Sequence, residues 1–197
     1  MMIKIYYCVS DSRDIPEELS EQRKNKITAC RSERSRIEQI RSAKVLKAGL
    51  ADLGLAEVNV IYRENENGKP YIEGHDDVRF SLSHTDCVSI VAFYQNEIGI
   101  DCENINKKIS GSVTKRFFFG AEKSASEEQR LLLWVAKEAV VKQSSLGFIK
   151  GRKEVEIPYF EDELILDGLW LKRLEIGGAL AVICAQKRDG ISITEVM

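Results

Sequence analysis

Two carboxylates stand two residues apart in Ile98-Gly-Ile-Asp-Cys-Glu103. In an extended strand alternate side chains share a face, so Gly99, Asp101 and Glu103 line one side and Ile98, Ile100 and Cys102 the other. The second side is apolar and reads as core. On the first, two like charges repel unless a cation lies between them. Oxygen donors at this spacing suit a hard divalent ion that keeps waters and shares its coordination with substrate phosphates. The plainer alternative is an exposed acidic strand edge.

A second constellation is Leu131-Leu-Leu-Trp-Val-Ala-Lys-Glu-Ala-Val-Val-Lys142. At about 100° per residue, Glu138 and Lys142 stack one turn apart within an apolar helix face, while Arg130 and Lys137 fall on another strip, expected to be wet. A Glu–Lys pair at i, i+4 stabilises an exposed helix by roughly a few tenths of a kcal/mol. Between apolar flanks such a pair seldom adds stability, which favours a chemical role. A third is Phe80-Ser-Leu-Ser-His-Thr85. Ser83 and His84 are neighbours in a strand and point to opposite faces, poor geometry for a nucleophile and its base. No G-x-S-x-G turn accompanies them. A phosphate contact is the functional alternative to a histidine that is simply hydrogen-bonded at a strand end. Gly68-Lys69-Pro70 puts a cation on a stiffened turn; it is no Walker loop, and alone it reads as a solvent lysine. Cations for several phosphates, carboxylates for one divalent ion and a Glu–Lys pair together describe a magnesium-dependent enzyme acting on a polyphosphate ligand.

The elements that must carry these groups are legible in outline. Residues 2–9 form a strand. Ser35-x-x-Glu38 opens a helix that Gly54 closes. Strands follow at Val58–Arg63, Val78–Ser83, Cys87–Tyr94 and Ile98–Glu103, the last two joined tightly by Gln95-Asn96. Helices are expected over Ser110–Phe119 and Glu127–Ser145, the latter capped by Ser124 or Ser126. Glu154–Ile157, Glu163–Leu174 and Ala179–Gln186 are strand-like, with Gly177-Gly178 as a hairpin turn. The order strands, helix, strands, twice over, predicts an α+β fold of two similar α/β halves packed pseudo-symmetrically, 1–98 and 99–197.

With 197 residues, 44% of them hydrophobic, the chain can bury a proper core, which excludes disorder. No apolar run approaches the roughly 18 residues of a membrane-spanning helix, and residues 1–10 do not read as a signal peptide. Five cysteines without a C-x-x-C pair argue against a disulfide framework or zinc site and fit a reducing cytosol. The net charge of −2 hides a basic stretch at 22–47, where nine Lys or Arg face only Glu33 and Glu38. It would attract a polyanion, or dock an acidic protein, or merely be a solvated helix face. Without interleaved aromatics it is a poor nucleic-acid binder.

Gly68-Lys-Pro, Phe80-Ser-Leu-Ser-His-Thr, Gly99-Ile-Asp-Cys-Glu and Trp134-Val-Ala-Lys-Glu-Ala-Val-Val-Lys142, in that order and spacing, resemble the Sfp-type 4′-phosphopantetheinyl transferases. The resemblance spans residues 68–147. It implies that coenzyme A binds between the halves. Its 4′-phosphopantetheine arm would pass to a serine of an acyl or peptidyl carrier protein, releasing adenosine 3′,5′-bisphosphate. It implies that Asp101, Glu103 and Glu138 hold Mg²⁺ (or Mn²⁺) on the pyrophosphate. Lys142 would neutralise the phosphates, and Glu138 or a held water would act as base. Ser83 and His84 would contact the nucleotide phosphates and Lys69 would lie along the nucleotide. Arg36 looks like a phosphate-binding arginine, Lys24 and Lys26 are further contacts, and Glu122 is a recurring acid of open role. Cys102 stands where the family has an aliphatic residue, and Gln143-Ser-Ser-Leu-Gly147 carries one glycine where the family is glycine-rich. A cytoplasmic monomer is expected, with no nucleic-acid or membrane partner. Three rivals remain: a coenzyme A or carrier-protein binder without turnover, a magnesium-dependent nucleotide pyrophosphatase, and a nucleic-acid binder built on 22–47.

Overall fold

A computed structural model describes residues 2–144 and 155–197. The chain runs β1 (Met2–Cys8), α1 (Glu21–Thr28), α2 (Glu33–Asp52), a 3-10 turn (Glu57–Asn59), β2 (Tyr62–Glu64), β3 (Pro70–Ile72), β4 (Arg79–His84), β5 (Ser89–Tyr94) and β6 (Ile98–Asn104). It continues through α3 (Gly111–Phe117), a second 3-10 turn (Gly120–Ser124), α4 (Glu127–Ser144), β7 (Glu163–Leu166), β8 (Leu169–Ile176), β9 (Ala179–Ala185) and β10 (Gly190–Glu195). The strands make two four-stranded sheets, β10-β1-β5-β4 and β6-β9-β8-β7, and a small β2-β3 hairpin. The mixed helix and sheet content is the α+β class the sequence predicts.

Alternation builds the layers. Ile3, Ile5, Ile90 and Ala92 on the inner face of the first sheet pack with Ile98, Ile100, Ala181 and Ile183 on the inner face of the second. α2 covers the outer face of the first, setting Val45, Leu46 and Leu50 on Tyr6, Val91 and Phe93. α4 covers the outer face of the second, setting Leu132, Val135, Ala136 and Ala139 on Leu171, Val182 and Cys184. Helix, sheet, sheet, helix is the result, each amphipathic element burying its apolar face.

Several expectations move. The α2 cap is Ser32, whose side chain accepts from the Ser35 amide, not Ser35 itself. Glu38, expected to reach back to the Ser35 amide, turns to Arg34 and His84 instead. α1, unforeseen, is capped by Ser20. The strand expected at Val58–Arg63 begins only at Tyr62, because the buried Glu57 carboxylate takes the Ser20 amide and hydroxyl and the Tyr62 hydroxyl, holding a 3-10 turn there. The α4 cap is settled as Ser126: its hydroxyl accepts from the Gln129 amide and the Gln129 side chain accepts from the Ser126 amide. The stretch Glu163–Leu174 divides at Asp167-Gly168, and β3 and β10 are additional strands. Val155–Ile157 has no regular structure; Ser145, Glu154 and the Leu146-Gly147 end of the departing motif lie outside the described residues. Gly177-Gly178 does form the β8–β9 turn, both with positive φ.

The largest departure is at Gln95-Asn96. β5 and β6 do not pair: β5 lies between β1 and β4, and β6 starts the second sheet against β9. The short connection crosses from sheet to sheet. The edges of β4 and β6 meet without a backbone ladder. Side chains of β4 replace it, the Ser81 hydroxyl accepting from the Ile100 amide (3.0 Å) and the Ser83 hydroxyl from the Cys102 amide (3.3 Å). Edge donors that burial would leave orphaned are thereby satisfied.

Gly99 sets how closely α4 can lie on β6. A Cβ there would sit 2.0 Å from the Ala139 carbonyl oxygen and 2.6 Å from the Gln143 amide nitrogen, both backbone atoms. Gly99→Ala is therefore expected to cost about 1–3 kcal/mol by forcing helix and strand apart, read as a lower midpoint in urea unfolding. An unchanged midpoint would show that the seam yields freely.

Candidate active site

The strand alternation read from sequence holds: Ile98, Ile100 and Cys102 join the inter-sheet core, whereas Gly99 is pressed on α4 and Asp101 meets Lys142 of that helix. Burial pushes the Cys102 thiol up to about 12, so it is a packing group. Asp101 is buried. Its Oδ1 accepts from the Ser83 hydroxyl (2.8 Å) and from the Lys142 ammonium (2.7 Å). Lys142 also donates to the carbonyls of Leu82 (3.2 Å) and Ile100 (3.0 Å). One ammonium with three donors thus joins α4, β4 and β6. Glu138, one turn earlier on α4, is 4% exposed.

Glu103 pairs with Lys107 and is less buried. It helps line a cavity of about 560 Å³ with Arg34, Glu38, His84, Thr85, Asp86, Asn104, Asn106 and Lys107. That cavity sits where the first sheet and α2 face the start of the second sheet. His84 points away from Ser83, as neighbours in a strand must, and its Nε2 lies 3.8 Å from Glu38 Oε2. Its pKa falls below the usual imidazole value, first because of burial, then through Lys142 and Arg41; Glu38 and Asp101 pull the other way.

A second cavity, of about 800 Å³, opens beside α1 and the β2-β3 hairpin. Its walls include Arg23, Lys26 and Arg63 among Tyr62, Pro70 and Phe80. The Arg23 guanidinium stacks 4.6 Å from the centre of the Tyr62 ring, and its buried Nε has no hydrogen-bond partner among the described residues. Cations interleaved with aromatic faces fit a phosphorylated nucleotide.

Other residues singled out from sequence are placed differently. Lys69 does not stand in solvent: its ammonium pairs with Glu97 and donates to the carbonyls of Ile98 and Gln143 (3.2 Å each), tying the hairpin to the second sheet and to α4. Lys24 pairs with Glu21 on an exposed side of α1, and Arg36 is exposed in the first turn of α2; neither is part of the walls of these two cavities. Ser83 spends its hydroxyl on Asp101 and the Cys102 amide.

Lys137, expected on a wet strip, is a correction: it is 0% exposed. Its ammonium meets Glu122 at 2.8 Å and donates to the carbonyls of Phe117 and Val155. Glu122 in turn accepts from the amides of Phe119 and Ile157. The acid of open role is therefore the partner of this lysine.

Sequence reasoning gave no site role of their own to Arg23, Tyr62, Glu38 and Arg41. For the last two a signal existed: Arg34, Glu38, Arg41 and Ser42 recur on one face of α2 at helical spacing. Arg41 is 2% exposed, and beyond its bond to the Asp86 carbonyl (2.9 Å) its Nε and Nη1 have no hydrogen-bond partner among the described residues.

Among the described residues no three His, Cys, Asp or Glu side chains are gathered around one point; Lys142 supplies the cation at Asp101. The donors nevertheless suit a divalent ion. They are carboxylates along one seam, and a hard ion that keeps its waters needs only one or two of them beside substrate phosphates.

Comparison with known proteins follows the same stretch. Residues 97–165 match the profile of the 4′-phosphopantetheinyl transferase superfamily. The chain is 34% identical over 101 residues to the 4′-phosphopantetheinyl transferase Sfp of Bacillus subtilis (strain 168), covering 47% of this chain and 45% of that one. It is 29% identical over 103 residues to the transferase gsp of Aneurinibacillus migulanus, covering 48% and 42%. The transferase ffp of Bacillus subtilis matches over 156 residues at 27% identity, covering 68% and 67%. The matches to Sfp and gsp thus span less than half the length of those relatives. The resemblance read from the motifs to the Sfp-type transferases is borne out.

Proposed function

We propose that the chain transfers the 4′-phosphopantetheine arm of coenzyme A to a serine of an acyl or peptidyl carrier protein and releases adenosine 3′,5′-bisphosphate. The observation that carries this reading is the junction of Asp101, Ser83 and Lys142 between α4, β4 and β6, beside a cavity walled by His84 and Glu103. Of these residues Asp101, Glu103 and Lys142 lie within 97–165, the stretch that matches the transferase family.

In this reading the nucleotide half occupies the larger cavity, against Tyr62 and Phe80, its phosphate met by Arg23, Lys26 and Arg63. The diphosphate runs toward His84 and Lys142. Asp101, Glu103 and Glu138 would hold Mg²⁺, which when bound offsets charge on the diphosphate. Ser83 orients the Asp101 carboxylate, and Lys69 fixes the hairpin that closes the nucleotide cavity. The carrier serine oxygen attacks the phosphorus bearing the pantetheine arm, the P–O bond to the nucleotide phosphate breaks, and the nucleotide leaves with that oxygen. The serine proton passes to Glu138 or to a water that Glu138 holds. Lys142 balances the charge growing on the leaving side. A cytoplasmic monomer accompanies this reading; all five thiols are free, and no helix among the described residues is long and apolar enough to cross a membrane.

The test is to incubate the protein with coenzyme A, Mg²⁺ and an apo carrier protein and weigh the carrier. A gain of one phosphopantetheine is expected, lost with EDTA and restored by excess Mg²⁺. Nucleotide release without any carrier would instead mark a pyrophosphatase, and coenzyme A binding without either product a binder that does not turn over.

A further inference from the structure

We propose that Glu38 is a positioning residue that holds the His84 imidazole toward a coenzyme A phosphate and so sets affinity for coenzyme A; this rests on the transferase reading. Its side chain is only 15% exposed and stands in the wall of the same cavity as His84, 3.8 Å from Nε2. The spacing is held by the backbone on both sides. The Ser42 hydroxyl donates to the Glu38 carbonyl (2.8 Å), the Ser89 hydroxyl donates to it as well (3.3 Å), and Arg41 holds the Asp86 carbonyl. The turn of α2 from Glu38 to Ser42 is thus fastened to the turn that follows His84. Arg34 Nε donates to the outer side of the carboxylate at 3.1 Å, leaving Glu38 anchored at both ends.

A carboxylate in the wall of a phosphate-binding cavity would by itself repel the ligand. Next to an imidazole it does the reverse, because it favours the cationic ring, which then stands between two anions. The charges acting most on that ring come from Glu38 and Arg41 on α2, Asp101 on β6 and Lys142 on α4; Arg34, Asp86, Glu103 and Lys107 also line its cavity.

The experiment compares the wild-type chain with Glu38→Gln, each checked by thermal melting, in coenzyme A titrations and in steady-state transfer at several pH values. The variant is expected to raise Kd and KM for coenzyme A by roughly two- to fivefold, the range of one part-exposed charge contact, with kcat little changed. The fall of KM on acidification should move to lower pH, because Glu38 is a group that raises the His84 pKa. Unchanged or tighter coenzyme A binding by the variant overturns the proposal, tighter binding meaning that Glu38 only repels. A wild-type chain that binds no coenzyme A removes the transferase reading and this inference with it.

Discussion

Glu138→Gln is expected to lower carrier modification by at least about a hundredfold while the melting curve stays close to wild type. The substitution keeps shape and volume and removes one negative charge and one proton acceptor. Loss of a preorganised charge in an active site commonly costs on the order of a hundred- to a thousandfold in rate, and loss of a general base a similar factor. The side chain is buried one turn from Lys142, whose ammonium joins Asp101 to the edge of β4. A change confined to metal holding would be partly recovered by raising Mg²⁺, whereas a change in proton removal would not. Full activity at saturating Mg²⁺ would remove Glu138 from the chemistry altogether.

The second large effect is on stability. Lys137→Met, which leaves the Glu122 carboxyl without its partner in a site with no solvent contact, is expected to cost about 3–5 kcal/mol, as breaking one side of a buried pair does. For a chain of this length that lowers Tm by on the order of 10 °C. Burial alone draws the lysine pKa down, and the Glu122 carboxylate opposes this. The ammonium also ties three chain segments together: the end of α3, the 3-10 turn with Glu122, and residues 155–157 through the Val155 carbonyl and the Ile157 amide on Glu122. Double replacement, Lys137→Met with Glu122→Gln, should recover part of the loss, because no uncompensated charge is then left inside. A single variant that melts with the wild type would mean that water reaches the pair.

The two lysines of α4 show what periodicity can and cannot reach. Angular position put Lys142 beside Glu138 on an apolar face, and there the structure finds both. The same arithmetic set Lys137 with Arg130 on a strip facing water. What covers Lys137 comes from elsewhere in the chain, from residues 117–122 and 155–157, and a helical wheel contains none of it. Period-two alternation sufficed for Asp101 and Glu103 because β6 has one face on each of two different layers. It could not tell that β6 leaves β5 for another sheet. The signal for that lay in Ser81 and Ser83, hydroxyls alternating on an edge strand, which can stand in for a missing ladder. α1 was missed because Ile27 is its only large apolar residue, so no apolar stripe marks it. The cavity beside α1 and the β2-β3 hairpin was missed because its walls gather residues 22 to 82 from five separate segments.

β10 has a consequence for how the molecule is made. It lies parallel to β1, Met2 opposite Gly190 and Tyr7 opposite Glu195, a pairing across 188 residues of chain. β1 therefore waits, with one hydrogen-bonding edge bare, until the residues of β10, 188 positions further along, have been made. Such distant pairing slows assembly and prolongs the interval in which a nascent chain can be captured by a neighbour.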